Sequence, residues 1–409
     1  MSRIRLLFSS LLLVIMLVNY LTIFIAIDDS IDNSTPKLSD NSKLKLEDTT
    51  VFSEESFEEN KVQNINESES GRSIPEGEGG TVHHFPAKKS FNSDGSLESD
   101  LVRGAWPYPQ FSFRKNITVD QEQISGDLTD FPLLINLYDA NLKDHVQPDG
   151  DDIIFTDSTG TKLVHEIELY NVNYNETHAH LVAWVKVPTL LNSSDTVISM
   201  YYSDPNYTNQ EIPETVWDNN YVGVWHLSQG GLEIRRDSTS NDNDGTPKGY
   251  DNNEATDGII GGADNFGGYN DYLEINKYPD DLGIGGTTEK TITAWVYTKG
   301  FNGGGIFEFG EESYLKDFSL RTLTSYDDWR GQWWDDDDDF TFSDSLNAWV
   351  YFIIIWNGTH IRIYANGTEM VNDIKPINTG NVKTLKIARW KDSYFNGIID
   401  EIRISKVVR

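Results

Sequence analysis

The stretch THIRIYANGTEMVND, at residues 359–373, decides the fold class of this sequence. Ile361 and Ile363 precede the dipeptide Asn366-Gly367, the strongest two-residue signal for a β-hairpin, because type I′ turns need positive φ at both central positions. The pattern predicts two antiparallel strands joined by a tight turn.

The same rhythm of short apolar runs and turn residues continues through residues 217–409. Many strands with glycine-rich connections are typical of a jelly-roll sandwich. The candidate strands are YVGVWHL, DYLEI, KTITAWVYT, GGIFEFG, DFSLRTLT, AWVYFIIIW, THIRIYA, LKIARW and GIIDEIRIS.

A separate set of strands precedes it, at residues 106–210, and turn signals such as SGDLTD and DSTG separate its members. We find no long amphipathic helical pattern in this segment. It therefore predicts a first β-sandwich. The candidate strands are FSFRKNITVD, FPLLINLY, DDIIFTD, THAHLVAWVKVP and DTVISMYYSD.

The N-terminus, residues 1–27, carries a targeting signal. Arg3 and Arg5 precede an apolar run at residues 6–27, which would be roughly 33 Å long as a helix and so could span a bilayer core of about 30 Å. The arginines place the short end in the cytoplasm. A retained signal anchor and a cleaved signal peptide both fit, so the protein is expected as a single-pass cell-surface protein or a secreted one.

Residues 28–105 form an acidic segment rich in Ser, Asn, Glu and Gly, with few aromatics and no apolar periodicity. Such a composition cannot bury enough apolar surface to offset the entropy of ordering. We predict a disordered stalk. The expected fold class is thus all-β, with two sandwiches after a transmembrane helix and a stalk.

The amino-acid composition argues against several classes of function. The cysteine count is 0, which excludes disulfides and thiolate metal sites. The formal net charge is -32, so a nucleic-acid partner is not expected, because neutralising phosphates needs a basic face. Solubility at an outer surface, binding of divalent cations and a high-salt habitat remain open as reasons for the acidity.

Residues 106–210 resemble the domain-of-unknown-function family 2341, through RKNITVD, SGDLTDFPLLINL, DGDDIIFTDSTGTKLVHEIELY, LVAWVKVP and MYYSDPN. The resemblance implies no activity.

Residues 217–409 resemble the concanavalin A-like, laminin-G-like family. The resemblance implies binding of glycans, proteins or calcium-dependent ligands, although some relatives are hydrolases. The segments that carry it are VWDNNYVGVWHL, DSTSNDNDGT, GGADNFGGYNDYLEI, ITAWVYT, WNGTHIRIYANG and FNGIIDEIRIS.

We therefore predict a non-catalytic extracellular binding or adhesion protein whose ligand is a glycan or a surface protein. The alternatives are an accessory carbohydrate-binding component of a polysaccharide-degrading system, a structural surface-coat component and, less favoured, a glycoside hydrolase. Hydrolysis needs two carboxyl groups across a cleft. Glu166 and Glu168 share a strand face but lie in an ordinary strand of the first sandwich, and Glu308, Glu311 and Glu312 lack the spacing. We expect no catalytic residues.

Calcium is the expected cofactor, because it takes six to eight oxygen ligands and this chain is rich in acidic loops. In the laminin-G-like family, such sites commonly lie at the sandwich rim. The candidate ligands are Asp237, Asn241, Asp271 and Asp400. The alternative is that DSTSNDNDG is a solvated loop whose side chains cap their own backbone.

Two further sets of candidate residues come from the sequence. Trp329, Trp333 and Trp334 beside Arg330 could form a platform for a sugar, since tryptophan offers a large rigid apolar face. The aspartates at 335–339 that follow are expected to form a solvated loop tip. Six N-x-S/T sequons mark candidate glycosylation sites in the two sandwiches, at Asn116, Asn175, Asn192, Asn206, Asn357 and Asn366.

Overall fold

The computed structural model describes residues 25–31 and 106–409 of the chain, and Ile25–Ile31 and Gln110–Arg409 belong to one compact unit. The predicted transmembrane segment, 6–27, and the predicted stalk, 28–105, lie outside the described residues except where they meet in Ile25–Ile31. In the described part of the chain, no helix is both long enough and apolar enough to span a bilayer.

The first sandwich packs a five-stranded sheet, in the order β1-β2-β8-β4-β5, against a three-stranded sheet, β3-β7-β6. Alternate residues of β2, β3, β7 and β8 fill its core, among them Ile117, Leu133, Val185 and Met200. The strands are β1 Ile25–Ile31, β2 Phe113–Val119, β3 Leu128–Asp139, β4 Ile154–Thr156, β5 Lys162–Leu163, β6 His165–Asn171, β7 Ala179–Leu190 and β8 Thr196–Tyr202.

Strand β1 pairs antiparallel with β2 along its full length, with Ile25 opposite Val119 and Ile31 opposite Phe113. The end of the predicted apolar run and the start of the predicted stalk therefore form the edge strand of the first sandwich.

The second sandwich packs two larger sheets face to face. One has seven strands, in the order β10-β13-β22-β15-β16-β17-β18, and the other eight, β11-β12-β25-β14-β19-β20-β21, with β9 paired to β25. The strands are β9 Tyr221–Trp225, β10 Thr246–Lys248, β11 Ala255–Asp257, β12 Gly262–Gly267, β13 Tyr272–Ile275, β14 Lys290–Gly300, β15 Gly305–Gly310, β16 Asp317–Thr322, β17 Asp328–Gln332, β18 Asp338–Thr341, β19 Trp349–Trp356, β20 His360–Ala365, β21 Thr368–Ile374, β22 Lys383–Ile387, β23 Arg389–Trp390, β24 Ser393–Tyr394 and β25 Asn396–Ser405.

The predicted hairpin is confirmed. Strands β20 and β21 pair antiparallel, and the two residues between them, Asn366 and Gly367, have φ of 46° and 79°. Positive φ at both positions is the signature that the Asn-Gly dipeptide predicts. The all-β class with two sandwiches is likewise confirmed, since the helical segments of the described chain are limited to Gln121–Gln123, Ala140–His145 and Pro213–Val216.

An apolar cluster joins the two sandwiches. It contains Val182 and Trp184 from β7, Trp217 from the connection, Val224 from β9, and Ile260. Trp184 and Trp217 lie with their ring centroids 5.3 Å apart. The outer faces of β7 and β9 are therefore buried in one apolar cluster.

Substitution of Trp329 tests whether this side chain supports the core of the second sandwich. Its side chain is 0% exposed, and its ring lies 4.6 Å from that of Phe352 in the facing sheet. We expect Trp329→Ala to lower the free energy of unfolding of the full chain by about 3–5 kcal/mol, because it leaves a large cavity. Urea unfolding followed by circular dichroism measures this. Tyr269→Ala, at a side chain 83% exposed, should stay within about 0.5 kcal/mol of the wild type. Equal effects of the two substitutions would show that Trp329 does not support the core.

Candidate functional site

The outer face of the seven-stranded sheet carries a continuous row of polar side chains. Residues directly opposite each other on paired strands share one face of a sheet. Five strand pairings therefore align six residues across six neighbouring strands: Thr246, Glu274, Lys386, Glu308, Ser319 and Gln332. We call this row, with Arg321 and Lys383 beside it, the polar sheet face.

Arginines form a second row on the same face. Arg321 lies opposite Arg330, which lies opposite Asp339. The Arg321 guanidinium lies 4.1 Å from the centroid of the Trp390 ring, and its Nε donates to Gln332 Oε1 at 3.0 Å. Each guanidinium is thus held by an aromatic face or an acceptor, so these cations occupy defined positions.

Two buried carboxyl groups support the cations of this face. Glu308 and Asp317 are 1% and 0% exposed, and Lys383 Nζ lies 3.5 Å and 3.9 Å from their nearest oxygens. Burial raises the pKa of Asp317 to about 7, and the charge of Glu308 adds to this while Lys383 opposes it. Because both carboxyl groups are shielded from solvent, their role here is to anchor the lysines.

Aromatic side chains border the polar sheet face. Trp334 and Trp390 are half-buried, and Lys391 Nζ lies 4.1 Å and 5.2 Å from their ring centroids. We call Trp334, Trp390 and Lys391 the aromatic rim. Flat apolar rings next to fixed hydrogen-bond donors and acceptors are the combination that recognises amphipathic ligands such as sugars.

The predicted sugar platform is wrong for two of its four residues. Trp329 and Trp333 are both 0% exposed and belong to the core between the sheets. Trp329 points inward because it alternates with the outward Arg330, and Trp333 packs against Phe318 with 4.8 Å between ring centroids. Trp334 lies on the rim, while Arg330 lies on the outer face beside it.

The aspartate run 335–339 is not simply a solvated loop tip. Asp337 Oδ1 accepts hydrogen bonds from the backbone N–H groups of Trp333 and Trp334. Lys375 Nζ lies 3.0 Å from Asp336 Oδ1 and 3.2 Å from Asp338 Oδ1. The run therefore folds back on itself, and basic side chains balance much of its charge.

The predicted calcium ligands Asp237, Asn241, Asp271 and Asp400 each bond to the backbone. Asp237 accepts from the N–H groups of Val224, Thr239 and Asn243; Asn241 donates to the Tyr221 carbonyl; Asp271 accepts from Gly267; and Asp400 accepts from Ile259 and Ile260. These four do not form a group of converging ligands among the described residues. Asp237 bonds to Thr239 and Asn243 within DSTSNDNDG, which supports the alternative of a self-capping loop there, whereas Asp400, in β25, bonds to the distant Ile259 and Ile260. Calcium binding itself stays a prediction.

The predicted glycosylation sites are accessible to different degrees. Asn175, Asn192, Asn206 and Asn366 are exposed, whereas Asn116 and Asn357 are half-buried.

The structure brings together a group that the sequence did not assign. Glu168, His226 and Glu401 offer ligand atoms that all lie within 4.8 Å of one another. His226 Nδ1 lies 2.5 Å from Glu401 Oε1 and 3.4 Å from Glu168 Oε2, and its Nε2 lies 3.5 Å from Glu166 Oε1. We call Glu166, Glu168, His226, Asp400, Glu401 and Arg403 the interdomain cluster, because the first two belong to β6 and the others to the second sandwich.

Burial and neighbouring charges shift the pKa values of the interdomain cluster in opposite directions. Burial opposes a charge on His226, but the carboxylates of Glu401, Glu166 and Glu168 outweigh it and hold the pKa of His226 well above its usual value. Burial also raises the pKa of Glu168 and of Asp400 well above the ordinary range. The i, i+2 spacing of Glu166 and Glu168 was the signal available in the sequence, but nothing in it placed His226 beside them.

Two family models match the chain. Residues 149–219 match the model described as Domain of unknown function (DUF2341), and residues 266–409 match that of the Concanavalin A-like lectin/glucanases superfamily. The chain therefore joins a DUF2341 domain to a concanavalin A-like lectin/glucanase domain, in the order that the sequence predicted. No curated protein matches the chain in sequence.

Solved structures with a similar fold are distant. Domain 4 of AbnA, a GH43 extracellular arabinanase from Geobacillus stearothermophilus, is 19% identical, with 46% of this chain and 93% of that chain covered and a TM-score of 0.33. The binding domain of botulinum neurotoxin DC in complex with SialylT is 13% identical, with 47% and 49% covered and a TM-score of 0.33. Trypanosoma rangeli sialidase is 10% identical, with 73% and 58% covered and a TM-score of 0.36. Because these TM-scores are low, the fold assignment rests on the family matches and the strand topology.

Asp317 predicts a pH dependence of stability. An Asp with a pKa raised from 3.8 to about 7 in the folded state binds more protons there than in the unfolded chain. The contribution of protonated Asp317 to the free energy of unfolding is therefore fully present below about pH 4, and it is lost as the pH rises to about 7. Asp317→Asn should abolish this loss and be more stable than the wild type above pH 7, by on the order of 1 kcal/mol or more.

Urea unfolding of the full chain at several pH values between about 4 and 8 measures this difference. The matched control is Asp242→Asn, at an exposed loop position, which should differ from the wild type by a constant amount. A difference between Asp317→Asn and the wild type that does not change with pH would show that Asp317 is ionised throughout.

Proposed function

We propose that this protein is a non-catalytic extracellular binding protein that recognises a glycan through the polar sheet face and the aromatic rim. The observation that carries the proposal is the position of the partly exposed Trp334 and Trp390 beside Lys391. They border a polar sheet face on which Thr246, Glu274 and Lys386 reach solvent, whereas Glu308, Ser319 and Gln332 are buried. A sugar presents an apolar C–H face and a ring of hydroxyls, and this surface offers partners for both.

The polar sheet face is organised before a ligand arrives. Arg321 is held by Trp390 and Gln332, and Lys383 by Glu308 and Glu312. Side chains that are already fixed lose little entropy on binding, which favours affinity. The charged groups also give directional hydrogen bonds, since bonds to ionised groups are the stronger ones.

The non-catalytic part of the proposal rests on burial. Glu308 and Asp317 are neighbouring carboxyl groups of the face, but both are shielded from solvent by the residues around them. A glycosidase needs carboxyl groups that reach both sides of a glycosidic bond. Release of reducing ends from a bound oligosaccharide, and its loss in Glu308→Gln, would overturn this part and favour the hydrolase alternative.

The extracellular part rests on the apolar run 6–27 that follows Arg3 and Arg5. Digestion of intact cells by an added protease should degrade residues 106–409 if this domain pair lies outside. Protection until the cells are lysed would contradict an extracellular location.

Substitutions on the rim test glycan recognition. A glycan array probed with the full chain should identify binding sugars, and Trp334→Ala combined with Trp390→Ala should weaken that binding by about tenfold or more, roughly 1.4 kcal/mol. The loss arises because the two apolar surfaces against which the sugar packs are removed.

Trp349→Ala is the matched control. Trp349 is also half-buried, but it lies in β19 of the other sheet, next to Tyr297. It should leave glycan binding unchanged. If Trp349→Ala abolishes binding while the double variant on the rim retains it, the ligand binds the eight-stranded sheet. If the array shows no sugar bound, the chain has another kind of partner, such as a surface protein.

A further inference from the structure

The interdomain cluster carries more negative charge than its own cations can balance. Its four carboxyl groups, on Glu166, Glu168, Asp400 and Glu401, face two basic side chains, His226 and Arg403. With every group ionised, two negative charges remain in excess. Burying unbalanced charge is costly, so a buried site of this kind needs either protons or another cation.

The surroundings of the cluster shield it from bulk solvent. The His226 side chain is 3% exposed, and those of Glu168 and Glu401 are 0% and 2% exposed. The indole rings of Trp184 and Trp217 lie 5.8 Å and 5.9 Å from the His226 ring. Electrostatic interactions are strong in such a dry site because the local dielectric is low.

A second observation also indicates a ligand. Two polar atoms of the cluster are buried and make no hydrogen bond to any group in the described part of the chain: Glu168 Oε1 and Asp400 Oδ1. Buried polar atoms in native proteins nearly always have a partner. His226 Nδ1 faces Glu401 and Glu168, while its Nε2 lies 3.5 Å from Glu166 Oε1, so both nitrogens of this imidazole face carboxylates of the cluster.

We propose that Glu168, His226 and Glu401 bind a divalent transition-metal ion, of the Zn²⁺ or Mn²⁺ type, between the two sandwiches. One imidazole nitrogen with carboxylate oxygens is a donor set that suits these ions, whereas Ca²⁺ prefers six to eight oxygens. Metal binding through Nδ1 requires neutral His226, so its proton leaves and the excess becomes three negative charges, of which such an ion would balance two. Its ligands come from both domains, so its binding would strengthen their contact. The site is separate from the polar sheet face and does not depend on glycan binding.

The distances are close to those that binding requires. Two ligands of a tetrahedral zinc ion with bonds of about 2.0–2.1 Å lie roughly 3.3 Å apart. The 3.4 Å between His226 Nδ1 and Glu168 Oε2 already matches this value. The 2.5 Å between His226 Nδ1 and Glu401 Oε1 is shorter, so the Glu401 carboxylate would move away by roughly 1 Å. Trp184 Nε1 donates to Glu168 Oε2 at 3.0 Å and orients this carboxylate.

The test measures metal uptake by the full chain. After treatment with EDTA and dialysis, the protein is equilibrated with Zn²⁺, Mn²⁺ or Ca²⁺ in separate arms, and bound metal is measured by mass spectrometry. We expect about one Zn²⁺ or Mn²⁺ per chain, no comparable uptake of Ca²⁺ at this site, and a rise in melting temperature of about 3–8 °C with the bound ion.

Variants locate the ion. His226→Gln and Glu401→Gln should each lose the uptake and the thermal shift. Glu168→Gln, which keeps the shape of the side chain, should weaken uptake at least tenfold. The matched controls are His178→Gln and Glu176→Gln, in the turn between β6 and β7, which should bind metal as the wild type does. Circular dichroism identifies any variant that fails to fold, and Glu168→Gln then carries the test.

Three outcomes would overturn the proposal. The first is wild-type protein that takes up neither Zn²⁺ nor Mn²⁺, which would leave protons as the balancing charge. The second is uptake that Glu168→Gln and Glu401→Gln leave unchanged, which would place the ion on surface carboxylates. The third is a preference for Ca²⁺ that persists in all the cluster variants.

Discussion

Successive side chains of a β-strand point to opposite faces of its sheet, and the second sandwich depends on this alternation. In β17, Trp329 fills the core while the next residue, Arg330, reaches the outer face and pairs with Asp339. In β16, Phe318 packs inward and Ser319 lies in the outer polar row. The same strand can thus contribute both to the core and to the outer face, on which Arg330 is partly exposed and Ser319 is buried.

Several charged groups of the polar sheet face are paired with one another, whereas Ser319 Oγ in the same row is buried without a hydrogen-bond partner in the described part of the chain. Glu308 and Asp317 are buried beside Lys383, which reduces the cost of shielding their charges from water but, for Asp317, does not outweigh burial, so its pKa rises to about 7. The Arg321 guanidinium stacks on the Trp390 ring, and this contact combines a cation–π interaction with apolar burial. This arrangement fixes the side chains in place and explains how a face rich in charge remains ordered next to the aromatic rim.

The contact between the two sandwiches has a different physical character. Its apolar part, with Trp184, Trp217 and Val224, buries surface as a core does. Beside it lies the interdomain cluster, in which Arg403 stacks over the rings of Trp184 and Trp217 and forms an ion pair with Glu401. A charged cluster buried at an interface is sensitive to the loss of any single partner, because the remaining charge then lacks compensation. The DUF2341 domain is therefore more than a spacer in physical terms, since it supplies part of this cluster.

The sequence by itself determined the fold class, the order of the two domains and the Asn366-Gly367 hairpin, because strand patterns and turn residues act locally. It also identified Trp334 and Arg330 as surface candidates. It could not show that Trp329 is buried while Arg330 and Trp334 are partly exposed, because the strand register decides which side chains face the core. Tertiary structure alone decided that Trp390 borders the polar sheet face, and that His226 meets Glu401, which lies 175 positions away along the chain. The physical reason is that the packing of two sheets and two domains, rather than local propensity, brings such distant side chains into one low-dielectric site.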